Sequence, residues 1–135
     1  MLLLVGMAAR VLVADDDPGM LELVAEALER PGVTVLRAEN GGELLDLLAS
    51  QGPFDLIVTD VSMPWMSGLQ VANSARTAGV ITPMIIISAT KDPSLDEQVA
   101  ALGANARLLR KPFGFEELDA TVKSLVKSPW ASAPV

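Results

Sequence analysis

Strand-like segments alternate with helix-like segments along this chain, and this alternation limits its possible folds more than any other feature. Short, largely apolar runs occupy five segments, at residues 10–14, 33–38, 56–58, 83–88 and 107–109. The run at 56–58 has no polar residue, which is typical of a parallel strand covered on both faces. A strand followed by a helix, five times over, predicts an α/β fold with a parallel sheet.

Turn and capping residues mark where the helices begin. Asp17 followed by Pro18 predicts the start of the first helix, and apolar residues then recur at helical spacing from Leu21. Asn40 with Glu43 resembles a capping box that opens the second helix. We therefore expect a single doubly wound domain, for which the usual five-stranded order is 2-1-3-4-5, the flavodoxin-like arrangement.

The composition excludes several kinds of site. The 135 residues are 50% hydrophobic, which is enough for one domain with a single core. The chain has no cysteine and no histidine, which excludes disulfides, thiolate or imidazole zinc sites and histidine-dependent catalysis. The formal charge is -7 and no run of Lys or Arg occurs, so we expect no direct contact with nucleic acid.

The two ends of the chain differ from the part between them. Residues 1–9 are apolar, but they are shorter than the about 20 residues of a membrane span and lack a basic signal region, so we interpret them as an extension. Residues 10–127 carry the strand and helix patterns, and residues 128–135 form a Pro/Ala/Ser tail. The lack of cysteine fits a reducing compartment, so we expect a cytoplasmic protein without a membrane partner.

Polar side chains stand at the ends of four predicted strands. These are Asp15 and Asp16 after the first strand, Asp60 at the end of the third, Ser88 at the end of the fourth and Lys111 after the fifth. Because the order 2-1-3-4-5 makes the first and third strands neighbours, we expect these side chains to meet in the crevice at the carboxyl edge of the sheet. Taken alone, Asp60 could equally cap the loop that follows its strand.

The three carboxylates at this edge repel one another, by roughly 4 kcal/mol for a pair 4 Å apart at an effective dielectric constant near 20. Lys111 alone cannot neutralise them, whereas Lys111 together with one Mg²⁺ can, and Mg²⁺ prefers oxygen ligands. The set lacks the nitrogen and sulfur ligands that zinc prefers. The arrangement suits the transfer of a phosphoryl group to an acid, with a carboxylate as nucleophile and cations on the phosphoryl oxygens.

Four motifs of the chain resemble the receiver domain of two-component response regulators, the CheY-like family. They are residues 13–18, the Asp60 strand with Met63, Pro64 and Gly68, residues 87–89, and residues 111–113. The motifs occur in the family's order and spacing, and the resemblance covers about residues 10–127.

The resemblance implies a role for each polar residue at the strand ends. Asp60 would accept a phosphoryl group from the phosphohistidine of a sensor histidine kinase or phosphotransfer protein. Lys111 would pair with the phosphate and precede a cis peptide bond to Pro112. Ser88 would supply the hydroxyl that follows the phosphate and draws its loop inward.

The resemblance also implies a metal and a mode of output. Mg²⁺ would be bound by Asp15, Asp16, Asp60 and the backbone carbonyl of Ser62. The domain would hydrolyse its own acyl phosphate, at a rate tuned by the side chains of Ser62 and Thr90, and would not otherwise act as an enzyme. It would signal through contacts with a downstream protein or effector domain, and a homodimer is one form of such contacts.

Leu108 departs from the family's pattern. The family usually has Tyr or Phe three residues before the lysine, an aromatic that turns inward as the hydroxyl moves, and here that residue is Leu108. Phosphorylation itself does not depend on this aromatic. Either Leu108 packs as ordinary core and the loop after Ser88 carries the signal, or the face made by the fourth helix, fifth strand and fifth helix changes little.

Two other functions remain open on the residues alone. A phosphatase of the haloacid dehalogenase type also uses an aspartate nucleophile with Mg²⁺, but it needs a second acid two residues later, where this chain has Ser62. An interaction module that never uses the crevice would be compatible with Leu108. The intact set of acids, hydroxyl and lysine argues against that module.

Overall fold

The computed structural model describes residues 8–126, in which five strands alternate with five helices. The strands are β1 Ala9–Ala14, β2 Val33–Ala38, β3 Leu56–Asp60, β4 Met84–Ser88 and β5 Ala106–Arg110. The helices are α1 Pro18–Leu28, α2 Gly41–Gln51, α3 Gly68–Thr77, α4 Ser94–Ala100 and α5 Phe115–Leu125. The predicted alternation is confirmed over this part of the chain.

The strands form one parallel sheet in the predicted order, β2-β1-β3-β4-β5. β1 and β3 are neighbours, with Ala14 opposite Thr59. On its other side β3 pairs with β4, where Asp60 lies opposite Ile87. Because all the strands run in one direction, the loops that follow β1, β3, β4 and β5 lie at the same edge of the sheet.

Two apolar layers separate the sheet from the helices. Leu12 and Ile86 belong to the layer that includes buried residues of α2, α3 and α4, and Val11 and Ile85 belong to the layer with α1 and α5. Adjacent residues of one strand therefore face opposite layers. Every residue of β3 and β4 is buried, which explains their continuous apolar sequences and leaves polar side chains at their buried carboxyl ends.

The starts of α1 and α2 agree only partly with the sequence analysis. Asp17 caps α1, as predicted, and its Oδ1 accepts the Gly19 N–H at 2.9 Å. Asn40 caps α2 by accepting the Glu43 N–H at 2.8 Å. The Glu43 carboxylate, however, accepts the N–H of Glu39 and not that of Asn40, so only half of the predicted capping box forms.

A complete capping box opens α3 instead. The side chain of Ser67 accepts the Gln70 N–H at 3.1 Å, and the side chain of Gln70 accepts the Ser67 N–H at 2.9 Å. α3 therefore begins at Gly68 with both its N-cap amide and its N3 amide hydrogen-bonded.

The predicted chain ends fall mostly outside the described residues, which exclude 1–7 and 127–135. Ala9, which the sequence analysis assigned to the extension, lies in β1 opposite Val33, so this strand begins one residue earlier than expected. Between residues 8 and 126, none of the helices has the length and apolar character that crossing a membrane requires.

Candidate functional site

Asp60 is the last residue of β3 and is only 5% exposed. The Nζ atom of Lys111 lies 3.1 Å from Asp60 Oδ2. The backbone N–H of Ser62 donates to Asp60 Oδ1 at 3.3 Å. Each carboxylate oxygen therefore has its own donor, and the two donors hold the carboxylate in one orientation.

Gly68 packs directly against the backbone of Asp60. A Cβ atom at Gly68 would stand 2.1 Å from the backbone oxygen of Asp60 and 2.5 Å from Thr59 Oγ1. The Gly68 N–H also donates to the backbone oxygen of Val61 at 3.1 Å. Only glycine allows this approach, so the first residue of α3 packs closely against the end of β3.

Asp15 and Asp16 follow β1 and lie beside Asp60. One carboxylate oxygen from each of the three acids lies within 4.8 Å of the others. Asp15 is buried and its Oδ1 accepts the N–H of Asp17 at 2.9 Å, whereas Asp16 is exposed. The structure thus brings the three predicted acids together, and we call Asp15, Asp16, Asp60 and Lys111 the acidic crevice.

The negative charges of the acidic crevice exceed the single positive charge. Burial raises the pKa of Asp15, and the charges of Asp60 and Asp16 raise it further, although the Asp17 N–H and Lys111 act to lower it. Lys111 Nζ lies 3.7 Å from Asp15 Oδ2. Burial acts to lower the pKa of Lys111, but the hydrogen bond and charge of Asp60, with the charges of Asp15 and Asp17, leave that pKa raised. Lys111 therefore stays protonated without fully compensating the acids.

The acidic crevice fits a hard divalent cation. The cluster of acids among residues 8–126 offers carboxylate oxygens, which are the ligands that Mg²⁺ prefers. The backbone carbonyl of Ser62, two residues beyond Asp60, is a further oxygen in the same loop. Besides burial, repulsion from Asp60 and Asp16 raises the pKa of Asp15, and a divalent cation would relieve that repulsion.

Ser88 ends β4 next to Lys111. It is buried, and its backbone oxygen accepts the Lys111 N–H at 2.8 Å. Ser88 Oγ accepts the N–H of Thr90 at 3.0 Å, so the hydroxyl proton remains available to another acceptor. The peptide bond between Lys111 and Pro112 is cis, as the resemblance implied.

Leu108 and Arg110 lie on β5 near this edge of the sheet. Leu108 is half-buried and packs against the layer of α2, α3 and α4, which agrees with its interpretation as ordinary core. Arg110 pairs with Asp96 of α4 at 2.6 Å, a contact that the sequence analysis missed. No local pattern marks this pair, because the fold brings together residues from two separate elements.

The chain matches the family model of the response regulator receiver domain over residues 11–123. The response regulator MprA of Mycolicibacterium vanbaalenii is 40% identical over 122 residues, which cover 90% of this chain and 52% of MprA. MprA of Mycobacterium tuberculosis is 39% identical over 122 residues, with the same coverage of both chains. The chain thus spans about half the length of the curated relatives it matches.

Solved structures share its fold. The chemotaxis response regulator CheY4 of Vibrio cholerae superposes with a TM-score of 0.76 at 30% identity, over 88% of this chain and 99% of CheY4. TrrA of Thermotoga maritima, a response regulator solved in complex with Mg²⁺-BeF, gives a TM-score of 0.75 at 34% identity, over 87% of this chain and 99% of TrrA. The chain therefore belongs to the family of response regulator receiver domains and has their CheY-like fold.

Proposed function

We propose that this receiver domain accepts a phosphoryl group on Asp60 from the phosphohistidine of a sensor histidine kinase or phosphotransfer protein. The observation that carries the proposal is the environment of the Asp60 carboxylate, which is buried, 3.1 Å from Lys111 Nζ and grouped with two further acids. An aspartate that only capped a loop would gain nothing from two further acids beside it, whereas a reacting carboxylate uses the cations that such a cluster attracts.

The proposed transfer forms one bond and breaks one. A carboxylate oxygen of Asp60 attacks the phosphorus in line, and the P–N bond to the imidazole breaks as the O–P bond forms. The imidazole nitrogen keeps the electron pair and takes up a proton from solvent. Lys111 already contacts Asp60, so its ammonium can stabilise the charge that passes to the phosphoryl oxygens, and the Ser88 hydroxyl can donate to one of them.

Asp15, Asp16, Asp60 and the backbone carbonyl of Ser62 would hold Mg²⁺. When bound, the ion would supply positive charge to the phosphoryl oxygens during transfer. The chain prepares this position with its own backbone, since the Asp17 N–H fixes Asp15 and the Ser62 N–H fixes Asp60.

The chemistry of this domain is limited to its own phosphoryl group. In this proposal it catalyses its own phosphorylation and the later hydrolysis of its aspartyl phosphate, and it converts no separate substrate. Ser62 and Thr90, each two residues beyond a buried strand end, would set how readily water reaches the phosphorus. Ser62 also stands where a phosphatase of the haloacid dehalogenase type needs its second acid, so the same position disfavours that alternative.

An apolar cleft beside Lys111 suits the protein that donates the phosphoryl group. The cleft has a volume of about 400 Å³ and lies between α1 and the loop after β5, with walls formed by Met20, Leu23, Ala89, Lys111, Pro112 and Phe113. Leu23 is 61% exposed at its margin. Because Lys111 belongs to both the cleft and the acidic crevice, a partner seated on these apolar residues would bring its phosphohistidine close to Asp60.

The output would also pass through protein contacts. We propose that the phosphorylated domain contacts a downstream protein, an effector domain or a second copy of itself, and does not bind nucleic acid or membrane directly. The formal charge of -7 supports this, because a negative surface repels both nucleic acid and anionic lipid. The proposal assigns the domain to the cytoplasm, where ATP charges histidine kinases.

Phosphorylation by acetyl phosphate with Mg²⁺, followed by intact-mass measurement, tests the proposal. We expect one added phosphoryl group on the wild type and none on Asp60→Asn, because the amide is not a nucleophile. Asp55→Asn is the matched control, since Asp55 precedes the same strand at the opposite edge and its Oδ2 accepts the Arg10 N–H at 2.8 Å. A wild type that takes no label, or an Asp60→Asn variant that still does, would reject the proposal.

A further inference from the structure

Arg110, the last residue of β5, reaches the loop between β4 and α4, residues 89–93. Its Nη1 donates to the backbone oxygen of Thr90 at 2.5 Å, and its Nη2 lies 3.4 Å from the backbone oxygen of Asp92. The same Nη2 pairs with Asp96 Oδ2 in the first turn of α4 at 2.6 Å. One guanidinium therefore attaches the loop and the start of α4 to the sheet.

The side-chain hydrogen bonds within this loop are local by comparison. The Thr90 N–H donates to Ser88 Oγ at 3.0 Å, the Asp92 N–H to Thr90 Oγ1 at 3.2 Å and the Ser94 N–H to Asp92 Oδ1 at 2.9 Å. Each of these bonds spans two residues and shapes a turn, but it does not fix the loop to another element. The contacts from Arg110 supply that attachment.

Arg110 is also joined to the acidic crevice through the next residue. Lys111 donates its N–H to the backbone oxygen of Ser88 at 2.8 Å, and its Nζ contacts Asp60 at 3.1 Å. Two consecutive residues therefore contact the two sides of the crevice: Lys111 contacts the Asp60 carboxylate, and Arg110 holds the loop beyond Ser88.

Residues 89–93 follow Ser88 directly and so border the crevice on the β4 side. Ser88 is buried, whereas Thr90 is exposed and its backbone oxygen is the closest partner of Arg110. Leu108 is ordinary core, so in this chain β5 contacts the loop through Arg110 and not through an aromatic side chain. A loop released from Arg110 would admit more water to a group bound at Asp60.

We propose that Arg110 is a positioning residue that holds the loop of residues 89–93 against the phosphorylated Asp60 and thereby slows the hydrolysis of the aspartyl phosphate. The inference rests on the proposed phosphorylation of Asp60. In the hydrolysis, a water oxygen bonds to phosphorus as the Asp60 O–P bond breaks, and the products are the free carboxylate and inorganic phosphate. Arg110 touches neither the phosphorus nor the water in this step, and it acts through Thr90 and Asp92.

The test compares aspartyl phosphate lifetimes in three variants, after labelling with acetyl phosphate and Mg²⁺ and removal of the donor. Arg110→Met keeps the aliphatic stem and removes the donors, and we expect its half-life to fall about five- to tenfold, which is the size that the net loss of one ordinary hydrogen bond predicts. Arg110→Lys should recover part of the lifetime. Arg107→Met is the control, since Arg107 also lies on β5 but donates to Ala104 and Ala106 at the opposite edge, and it should match the wild type.

Two further readouts separate positioning from a general loss of stability. The rate of labelling should stay within about twofold of the wild type, and amide hydrogen exchange should accelerate in residues 89–94 while the central strands stay protected. If Arg110→Met does not fold, Asp96→Asn removes only the exposed ion-pair partner and should still shorten the half-life.

The outcomes separate this inference from the proposed function. Equal half-lives for the wild type and the folded Arg110 variant would overturn the role of Arg110 and leave the phosphorylation of Asp60 intact. A variant in which labelling and hydrolysis both become slower and the melting temperature falls would also overturn it, because that pattern indicates a purely structural role. A wild type that takes no label would overturn the proposed function itself, and this inference with it.

Discussion

The two edges of the sheet differ in how they handle charge. At the amino-terminal edge, the guanidinium groups of Arg10, Arg76 and Arg107 donate to backbone oxygens of the neighbouring loops. At the carboxyl edge, the acidic crevice groups three carboxylates, and two of them, Asp15 and Asp60, lie 3.7 and 3.1 Å from the ammonium of Lys111. The first arrangement stabilises the fold by itself, whereas the second leaves a repulsion that a bound cation or phosphoryl chemistry can use.

Arg76 shows the amino-terminal arrangement most fully. It lies in the last turn of α3 and donates to the backbone oxygens of Leu102 at 2.7 Å, Val80 at 2.9 Å and Thr82 at 2.8 Å. Its Nη2 also donates to Asn105 Oδ1 at 2.8 Å. One side chain thereby closes the loops before β4 and β5, and it does so without a carboxylate partner in these contacts.

Removal of Arg76 should therefore have the largest effect on stability. We expect Arg76→Ala to lower the free energy of unfolding by about 2–3 kcal/mol, because four oxygen atoms lose a charged donor in a half-buried site. The corresponding fall in melting temperature is about 10 °C, measurable by calorimetry. Arg107→Ala, which loses contacts within a single loop, serves as the control and should change stability by less than about 0.5 kcal/mol. An equal loss in both variants would contradict the idea that the contacts of Arg76 with two loops anchor the amino-terminal edge.

The opposite sign is expected at the carboxyl edge. Asp15→Asn should raise the free energy of unfolding in Mg²⁺-free buffer by about 1 kcal/mol, because it removes a buried carboxylate beside Asp60 and can keep the hydrogen bond to the Asp17 N–H. The pKa of Asp15 is raised in the folded state, so its unfavourable contribution is present at neutral pH, declines as the pH falls through that raised pKa and is gone below the pKa of the unfolded state.

Titration with Mg²⁺ should then make the wild type more stable to unfolding than Asp15→Asn. Saturating Mg²⁺ should stabilise the wild type by about 2.7 kcal/mol at a hundredfold excess over its dissociation constant, and it should stabilise Asp15→Asn far less. Thermal unfolding with and without Mg²⁺ measures both changes. If Asp15→Asn is less stable than the wild type in the absence of Mg²⁺, repulsion between the carboxylates of the acidic crevice does not destabilise the folded state.

The smallest effect is expected away from both edges, on the helix layer. Hydrogen bonding to Lys123, and the nearby charge of Arg30, hold the pKa of Asp119 below its usual value. A lowered folded-state pKa gives stability that is present above the unfolded pKa and lost as the pH falls through the folded one. Asp119→Asn should therefore cost about 0.5 kcal/mol at neutral pH, with the difference vanishing in acid.

Urea unfolding at several pH values checks this window. Glu26→Gln, a substitution on the exposed side of α1, is the control and should show no comparable pH-dependent difference. A larger loss at Asp119 than at Arg76 would mean that the helix layer, and not the amino-terminal edge, anchors the fold.

The fold was predictable because its signals are local and repeated. Periodic apolar residues, the Asp17–Pro18 cap and the glycines and prolines between elements predict where each strand and helix lies, and parallel topology then predicts which strand ends meet. The three acids could be placed together from this order alone, since adjacent parallel strands end at one edge.

The arginine contacts could not be predicted in this way. Arg76 and Arg110 bind backbone oxygens of loops that are 4 to 26 residues away in the chain, and a backbone oxygen carries no sequence signature. The Ser67 and Gln70 capping box is a different kind of miss, because its spacing was readable and was not used. Asn40 and Glu43 have the spacing of a capping box, but the Glu43 carboxylate accepts the N–H of Glu39 instead of the N–H of Asn40.

The contact of Gly68 with the Asp60 backbone has a consequence for the whole of α3. This helix begins against the backbone of Asp60 and ends, about 15 Å away, with the turn that carries Arg76. A single rigid rod therefore connects the acidic crevice to the loops that Arg76 contacts. Any side chain larger than hydrogen at position 68 would push this rod outward and disturb both of its ends at once.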